Sequence, residues 1–448
     1  MLTIEQAVAQ ASAAVDAARR AGADAADALI AADTAIGASV RLGVLEDVDR
    51  SEGAELGLRV FVGKRSASVS TSDFGPDALR TMAERAVAMA RLAPEDDWAG
   101  LAPAERLMHG HAPLLDLDDG GDADPAVLKE RALAAEDAAR AVAGVTNSEG
   151  AGASASRGIT ALATSHGFAA GYAATGYSVS ASVLAADDAG MHRDYAHHTA
   201  RHQSMLEPPT LVGARAGERA VARRAPVRID SGPMPVLFDP RVGSSLIGHL
   251  IGAIAGSAIA RRTSFLIDAL GTPILPAGIT IMDDPHRPHG LRSRPFDGEG
   301  LPVSPLAIVH HGVLQTWLMD SASARQLGRE PTGHATRGLS GPPGVTASNV
   351  HLEGGTIPPE TLIGDVRRGI YVTELIGQGV NGITGDYSRG ASGFLIEDGQ
   401  IGPAVQEITI AGNLKQMFLA LTPANDLEFR YGINVPTLRI DGMTVASG

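Results

Sequence analysis

The chain has 448 residues, of which 44% are hydrophobic and 4% aromatic, with a formal net charge of −14 at pH 7. This length and apolar content suit a soluble protein of two to four domains, and the acidic balance argues against nucleic acid or an anionic membrane as the main partner. Cysteine is absent, which excludes disulfides, thiol catalysis and thiolate metal sites and fits a reducing compartment.

The first residues lack the basic start and apolar core of a signal peptide. The longest apolar run, 246–260, is interrupted by His249 and falls short of the ~20 residues that span a bilayer. A cytoplasmic location is expected, with no membrane partner.

Thr3 and Gln6 form a capping box for a helix reaching about Arg20, with Gly22 beyond its end. Strand-like text follows over 25–71, with a hairpin turn at Gly63-Lys64. A second amphipathic helix, about 76–92, has Leu79, Met82, Ala83, Ala86 and Met89 on one side. Residues 1–93 therefore read as an N-terminal α/β domain, an antiparallel meander with flanking helices. The Pro-, Asp- and Gly-rich stretch 94–124, ending in LDLDDGGDAD, reads as a solvated linker.

A helix at about 126–142 opens a middle α/β domain, 125–230. Small residues alternate over 144–186, as in a sheet packed closely on something. His192, Asp194, His197, His198 and His202 read as a solvated hairpin, because adjacent His197 and His198 point to opposite faces of a strand. The helix at about 210–224 carries Arg215, Arg219 and Arg223 at i+4 spacing; a solvated face is the simpler reading and an anion site the rival.

The third region, 231–448, starts with the strand-like PVLFD and continues in short strands punctuated by Gly and Pro. Hairpins are expected at Gly312 and at 397–400, and short helices near 321–327 and 413–421. The fold class is α+β, with a C-terminal domain of mostly antiparallel β structure, sandwich or barrel-like, around an embedded helix. That helix is predicted as one element over 239–265, capped by Asp239 with Pro240 at its first position and Arg261 and Arg262 at its end. Leu246, Ile247, Leu250, Ile251, Ile254 and Ala258 make its apolar face, while Ser244, Gly248, Gly252, Gly256 and Ala260 form a row of small residues beside His249. Glycine costs about 1 kcal/mol against alanine within a helix, so this row suggests close approach by another backbone.

The helix offers one metal-ligating group and no general base, since Ser245 and Ala253 lie one turn from His249. His286 and His289, beside Asp283 and Asp284, sit on a proline-rich loop where spacing is uninformative; His310 and His311 suit a turn. No P-loop, dinucleotide fingerprint or Gly-x-Ser-x-Gly elbow is present. From the residues alone there is no catalytic set and no metal site. His249, His286 and His289 are the candidates left for one.

The stretch VTELIGQGVNGITGDYSRGASGFLIEDGQIGPAVQEITIAGNL, 372–414, resembles the TldD/PmbA family, and within it the PmbA (TldE) branch. RRTSFL, RSRPFDGEG and GVLQTWLMDSASARQLG add to the resemblance, which covers nearly the whole chain and is densest beyond residue 230. It implies a cytosolic metalloprotease system of two homologous subunits acting on peptides or small unfolded proteins, in degradation or peptide maturation. In the TldD-like branch a helix with His-Glu-x-x-x-His and a later cysteine hold zinc; the PmbA-like branch lacks these ligands. This sequence lacks them too, and without an activated water metal-assisted hydrolysis cannot run in one subunit. The expectation is a non-catalytic subunit with no cofactor of its own, zinc residing in a TldD-type partner, and a homodimer when isolated. The rivals are an autonomous metallohydrolase and a homodimeric peptide-binding protein. Gly248, Gly252, Gly256, Gly385, Asp386, Tyr387, Ser388 and Arg389 are the candidates for a shared cleft or interface, where a peptide could add as a strand. A surface turn held by internal hydrogen bonds competes at 385–389.

Overall fold

The computed structural model describes residues 2–110, 112–121 and 123–447. The first helix, α1 (Ile4–Arg20), starts at the expected capping box: Thr3 Oγ1 accepts from the Gln6 amide at 3.2 Å and Gln6 Oε1 from the Thr3 amide at 2.9 Å. Then come β1 (Ala25–Arg41), β2 (Val44–Val62), β3 (Arg65–Thr71) and α2 (Pro76–Leu92), with the β2–β3 turn at Gly63-Lys64. Beyond a short 3₁₀ turn, Ala104–Arg106, lie α3 (Pro125–Arg140), β4 (Val145–Thr164), β5 (Ala169–Asp187), β6 (Gly190–Ala200) and α4 (Pro209–Ala222).

All six strands form one antiparallel sheet in the order β3-β2-β1-β4-β5-β6, so the strands on both sides of 94–124 share a ladder. Alternation along β1 assigns its faces. Ala26, Ala28, Ile30 and Ala32 are buried with α1 and α2, and further along Ala38 and Val40 with α3 and α4. On the other face Leu29 packs with Phe168, Phe296 and Leu301 of the third region. Small side chains let the helices lie close, as the alternation over 144–186 suggests. At the α3–α4 contact a Cβ on Gly213 would lie 1.9 Å from the Ala135 carbonyl oxygen, and one on Gly217 2.7 Å from that of Ala139. Glycines four residues apart do admit a neighbouring backbone here, on α4.

The 94–124 stretch is not a solvated tether. Leu115 and Leu117 are buried, Leu117 O accepts from the Thr175 amide at 2.8 Å, and Asp118 pairs with Arg157 at 2.7 Å. Asp118 and Asp119 find partners on sheet strands far away in sequence, Arg157 and Tyr177, which composition does not reveal. Asp122 lies outside the described residues.

The third region runs β7 (Gly232–Phe238), α5 (Pro240–Ala253), α6 (Gly256–Ala260), β8 (Ile281–Asp283), β9 (Leu306–His310), β10 (Val313–Leu314) and α7 (Ser321–Leu327). It continues with β11 (Ala335–Thr336), β12 (Gly344–Val345), β13 (Val350–Leu352), α8 (Pro359–Gly364), β14 (Arg368–Ile376) and β15 (Asp386–Glu397). Last come β16 (Gln400–Asn413), α9 (Leu414–Leu419), β17 (Leu421–Pro423), β18 (Ile433–Asn434) and β19 (Leu438–Ser447). Strands β7, β14, β15, β16 and β19 close into a barrel, because β16 pairs with β19 and β19 with β7. Only β7–β14 is parallel within that ring. Leu246, Ile247, Leu250, Ala253 and Ile254 join the buried core of the barrel strands. Among the described residues no helix is long and apolar enough to cross a membrane.

The predicted single helix over 239–265 is two. Asp239 does cap it, its carboxylate accepting from the Arg241 amide at 2.9 Å, but the helix stops at Ile254 and Ala255 is extended. Leu318 pairs across the break, its amide donating to Ile254 O at 3.0 Å and its carbonyl accepting from Gly256 at 2.7 Å. Gly256 is needed there, since a Cβ would lie 2.6 Å from Ser323 Oγ and 2.7 Å from Met319. Around Gly248 and Gly252, by contrast, nothing comes within 4 Å of an added Cβ, so their side of α5 is open.

Where the N-terminal sheet meets the third region, Asp297 and Glu299 are both buried. Burial, and then the neighbouring Asp297, push the Glu299 carboxyl up to about 7. The folded state therefore holds a proton that the unfolded chain has released above about pH 4.3, so stability falls as the pH rises from there through about 7. Glu299→Gln keeps an acceptor for the Ser321 amide and removes the ionisation. We expect it to flatten this part of the pH profile and to gain about 3 kcal/mol at pH 8, measured by urea unfolding at pH 5 and pH 8.

Candidate functional site

The open side of α5 carries His249, and strand β15 brings Tyr387 against it. Their rings meet nearly perpendicular, with centroids 6.2 Å apart. Tyr387 and Arg389 share one side of β15, Asp386 and Ser388 the other, so two of the four predicted residues belong with His249. Burial, then the Arg389 charge, hold the His249 imidazole below its ordinary value, making it neutral at neutral pH. Its Nε2 is buried without a hydrogen-bond partner among the described residues. Burial pushes the Tyr387 hydroxyl up to about 12 against the opposing pull of Arg389. Asp386 instead turns outward to Thr384 Oγ1 at 2.6 Å and Asn413 Nδ2 at 3.1 Å. Gly385 is buried with φ +83°, packed against Phe265 and Asn413. The 385–389 segment is thus part hydrogen-bonded turn and part wall beside α5.

His286 does not join this group. Its amide donates to Asp284 Oδ1 at 3.0 Å, and its Nε2 is buried without a partner among the described residues. His289 turns away to Asp116, with Nε2 2.6 Å from the carboxylate. The His192–His202 hairpin is not solvated throughout, because His192 and Asp194 are buried. Nor is the arginine row of α4 a solvated face: Arg223 is buried and paired with Asp194 and Glu374, each at 2.6 Å. Arg215 pairs with Glu207 at 3.0 Å. Arg219 meets no carboxylate at ion-pair distance among the described residues and donates to Tyr195 O at 3.2 Å. It lines a cavity of about 430 Å³ with Tyr195, His197, Asp239, Arg241 and Tyr431, at the N-terminus of α5.

Family models for three PmbA/TldA metallopeptidase domains match the chain in order: domain 1 at residues 26–90, the central domain at 118–224 and the C-terminal domain at 231–447. The chain belongs to the PmbA/TldD family. It is 39% identical over 425 residues to metalloprotease PmbA of Escherichia coli O157:H7, spanning 94% of this chain and 92% of that protein. The PmbA homologue of Haemophilus influenzae is 36% identical over 437 residues, 97% and 94% of the two chains. A crystal structure from Bacteroides thetaiotaomicron, of a protein named for modulating DNA gyrase, superposes with a TM-score of 0.91 over all of both chains at 27% identity. TldE from Thermococcus kodakarensis shares the fold, with a TM-score of 0.87 over 98% of this chain and 100% of that one at 21% identity.

A metallopeptidase name implies zinc, and the residues on α5 do not fit it. A catalytic zinc needs about three protein ligands and an open position; the helix supplies one imidazole, with Ser245 and Ala253 at the neighbouring turns and no carboxylate beside it. Among the described residues one group of three potential ligands converges, Asp116, His202 and His289, and it contains neither His249 nor His286. His202 and His289 stand out in the sequence, whereas Asp116 is hidden in a run of aspartates. The Arg241 lining of the cavity was equally silent, its only signal being a cation just after the helix N-cap.

Proposed function

We propose that this chain is a PmbA/TldE-like subunit of a TldD–PmbA peptidase system in the cytoplasm. It shapes the chamber and presents peptides or unfolded protein segments to a TldD-type subunit that holds the zinc. The observation that carries this reading is the donor set of α5, which follows barrel strand β7 and offers one neutral imidazole where hydrolysis needs a coordinated, activated water. Two features support a peptide-handling role. The side of α5 at Gly248 and Gly252 is open to a neighbouring chain. A groove of about 490 Å³ beside α6 is lined by Phe265, Leu266, Ile383, Phe418 and Leu419, with Arg262, Lys415 and Asp268 among its polar groups. Such a surface takes apolar side chains of varied sequence while the cations meet carboxylates.

The test is an assay of an unstructured peptide with the purified chain alone, then with a TldD-type subunit from the same organism, alongside size-exclusion chromatography of the mixture. Cleavage is expected only with both subunits, which should co-elute, and His249→Ala in this chain should leave chemistry at the partner's zinc intact. Chelator-sensitive cleavage by the isolated chain, lost in His249→Ala, would overturn the proposal in favour of an autonomous hydrolase. Peptide binding without any association would favour the homodimeric binding protein.

A further inference from the structure

We propose that Asp116, His202 and His289 form a site for one divalent transition-metal ion of the zinc type, a staple between the N-terminal sheet and the third region that is separate from α5. Nε2 of His289 lies 2.6 Å from Asp116 Oδ2, while Nε2 of His202 lies 3.0 Å from the Asp116 carbonyl oxygen and 3.4 Å from Oδ1. The two imidazoles meet edge to face with centroids 4.6 Å apart. The three potential ligand atoms lie within 4.8 Å of one another. An ion with bonds of about 2.0–2.2 Å can gather them by small side-chain rotations.

Three distant parts of the chain supply the group. Asp116 belongs to the segment laid on the sheet before α3, His202 follows β6, and His289 stands on the loop after β8. The backbone is bent to bring them together: Asp116 has φ +51° and His289 φ +57°, a left-handed conformation that residues with a Cβ adopt sparingly. The His289 amide donates to Leu115 O at 3.1 Å, which fixes these two residues side by side. Both imidazoles are mostly shielded while the Asp116 carboxylate is 62% exposed, so ligands are held from within and water can take the outer position.

The donor set selects the ion. Two imidazoles with one carboxylate suit zinc, cobalt or nickel, whereas magnesium and calcium prefer all-oxygen shells. An ion on His289 Nε2 would take the place of the contact this nitrogen makes with the Asp116 carboxylate. Hydrolysis is no part of this assignment, which stands or falls independently of the partner-subunit reading.

The experiment uses the full chain, stripped with chelator and titrated at neutral pH with Zn²⁺ by calorimetry and with Co²⁺ by visible absorption. One ion per chain is expected, with Co²⁺ ligand-field bands, and zinc should raise the thermal midpoint. Asp116→Asn, His202→Ala and His289→Ala should each weaken binding at least about tenfold, a loss typical even of residues that only support a ligand. His249→Ala and His286→Ala should leave it unchanged. Absence of saturable binding by the unaltered chain overturns the proposal whatever the variants do. So does binding that survives all three substitutions, and so does loss of the ion in His249→Ala, which would move the metal to α5.

Discussion

Asp194→Ala is expected to destabilise the protein by about 3–4 kcal/mol, among the largest single-residue effects available in this chain. Asp194 is buried on β6, where its carboxylate takes Arg223 Nε at 2.6 Å and Arg241 Nη1 at 2.9 Å. The arginines come from α4 and from the first turn of α5, so one carboxylate joins the N-terminal sheet, its covering helix and the barrel helix. In the variant Arg223 keeps Glu374, while Arg241, largely buried, has no other ion pair among the described residues. Burial opposes ionisation of Asp194, but Arg241 and Arg223 outweigh it and hold the carboxyl at about 2, below its ordinary 3.8. Since the folded pKa is the lower one, this stabilisation is complete above about pH 4 and fades as the pH falls through about 2. Urea unfolding of both proteins at pH 7 and pH 2.5 checks this. A difference below about 1 kcal/mol at pH 7, the worth of an exposed pair, would show that the cluster is solvated in solution.

This cluster also marks the limit of what the sequence discloses. Period-two runs disclosed the meander and its Gly63-Lys64 turn, because each strand's faces are written in its own residues. The capping box at Thr3 and the Asp239 cap are equally local, and both occur as expected. The arginine row of α4 looked solvated because its partners lie elsewhere, Asp194 29 residues and Glu374 151 residues from Arg223. Glycine spacing announced close packing, but only a neighbour decides which glycines use it. Gly213 and Gly217 touch α3, whereas Gly248 and Gly252 face open space. The break after Ile254 has the same origin, because it is made by Leu318 pairing across it. For the site, the lone imidazole of α5, with Ser245 and Ala253 one turn away, was legible. The encounter with Tyr387 and Arg389 required the barrel, which places β15 beside α5.

The two regions thus meet through charge as well as apolar contact. If α5 offers a surface and no catalytic metal, its orientation against α4 and the N-terminal sheet becomes the quantity to preserve. The buried pairs of Asp194 with Arg241 and of Asp27 with Arg337 tie the N-terminal sheet to the third region at this junction. The arginine-lined cavity lies at this junction, with Arg241 linking its wall to the first turn of α5.

A second seam residue tests this view. Asp27→Asn should destabilise the protein by about 3–5 kcal/mol, because a single buried carboxylate there serves two buried arginines. Arg59, its cross-strand neighbour on β2, donates through Nε at 2.9 Å, and Arg337 of the third region through Nη2 at 3.1 Å. Burial disfavours the Asp27 charge, but the two guanidinium groups overcome it and the carboxyl stays below its usual range. Asparagine keeps the shape and removes the charge, leaving two cations without compensation. Glu299 senses Arg59, so in the variant its carboxyl should ionise more readily and supply part of the missing charge. The loss should consequently be smaller at pH 8, where Glu299 can ionise, than at pH 5.5, where it is protonated. Equal losses at the two pH values would show that Glu299 does not respond. In the double variant Asp27→Asn/Glu299→Gln the pH dependence of the loss should vanish, which separates charge compensation from mere repacking of the seam.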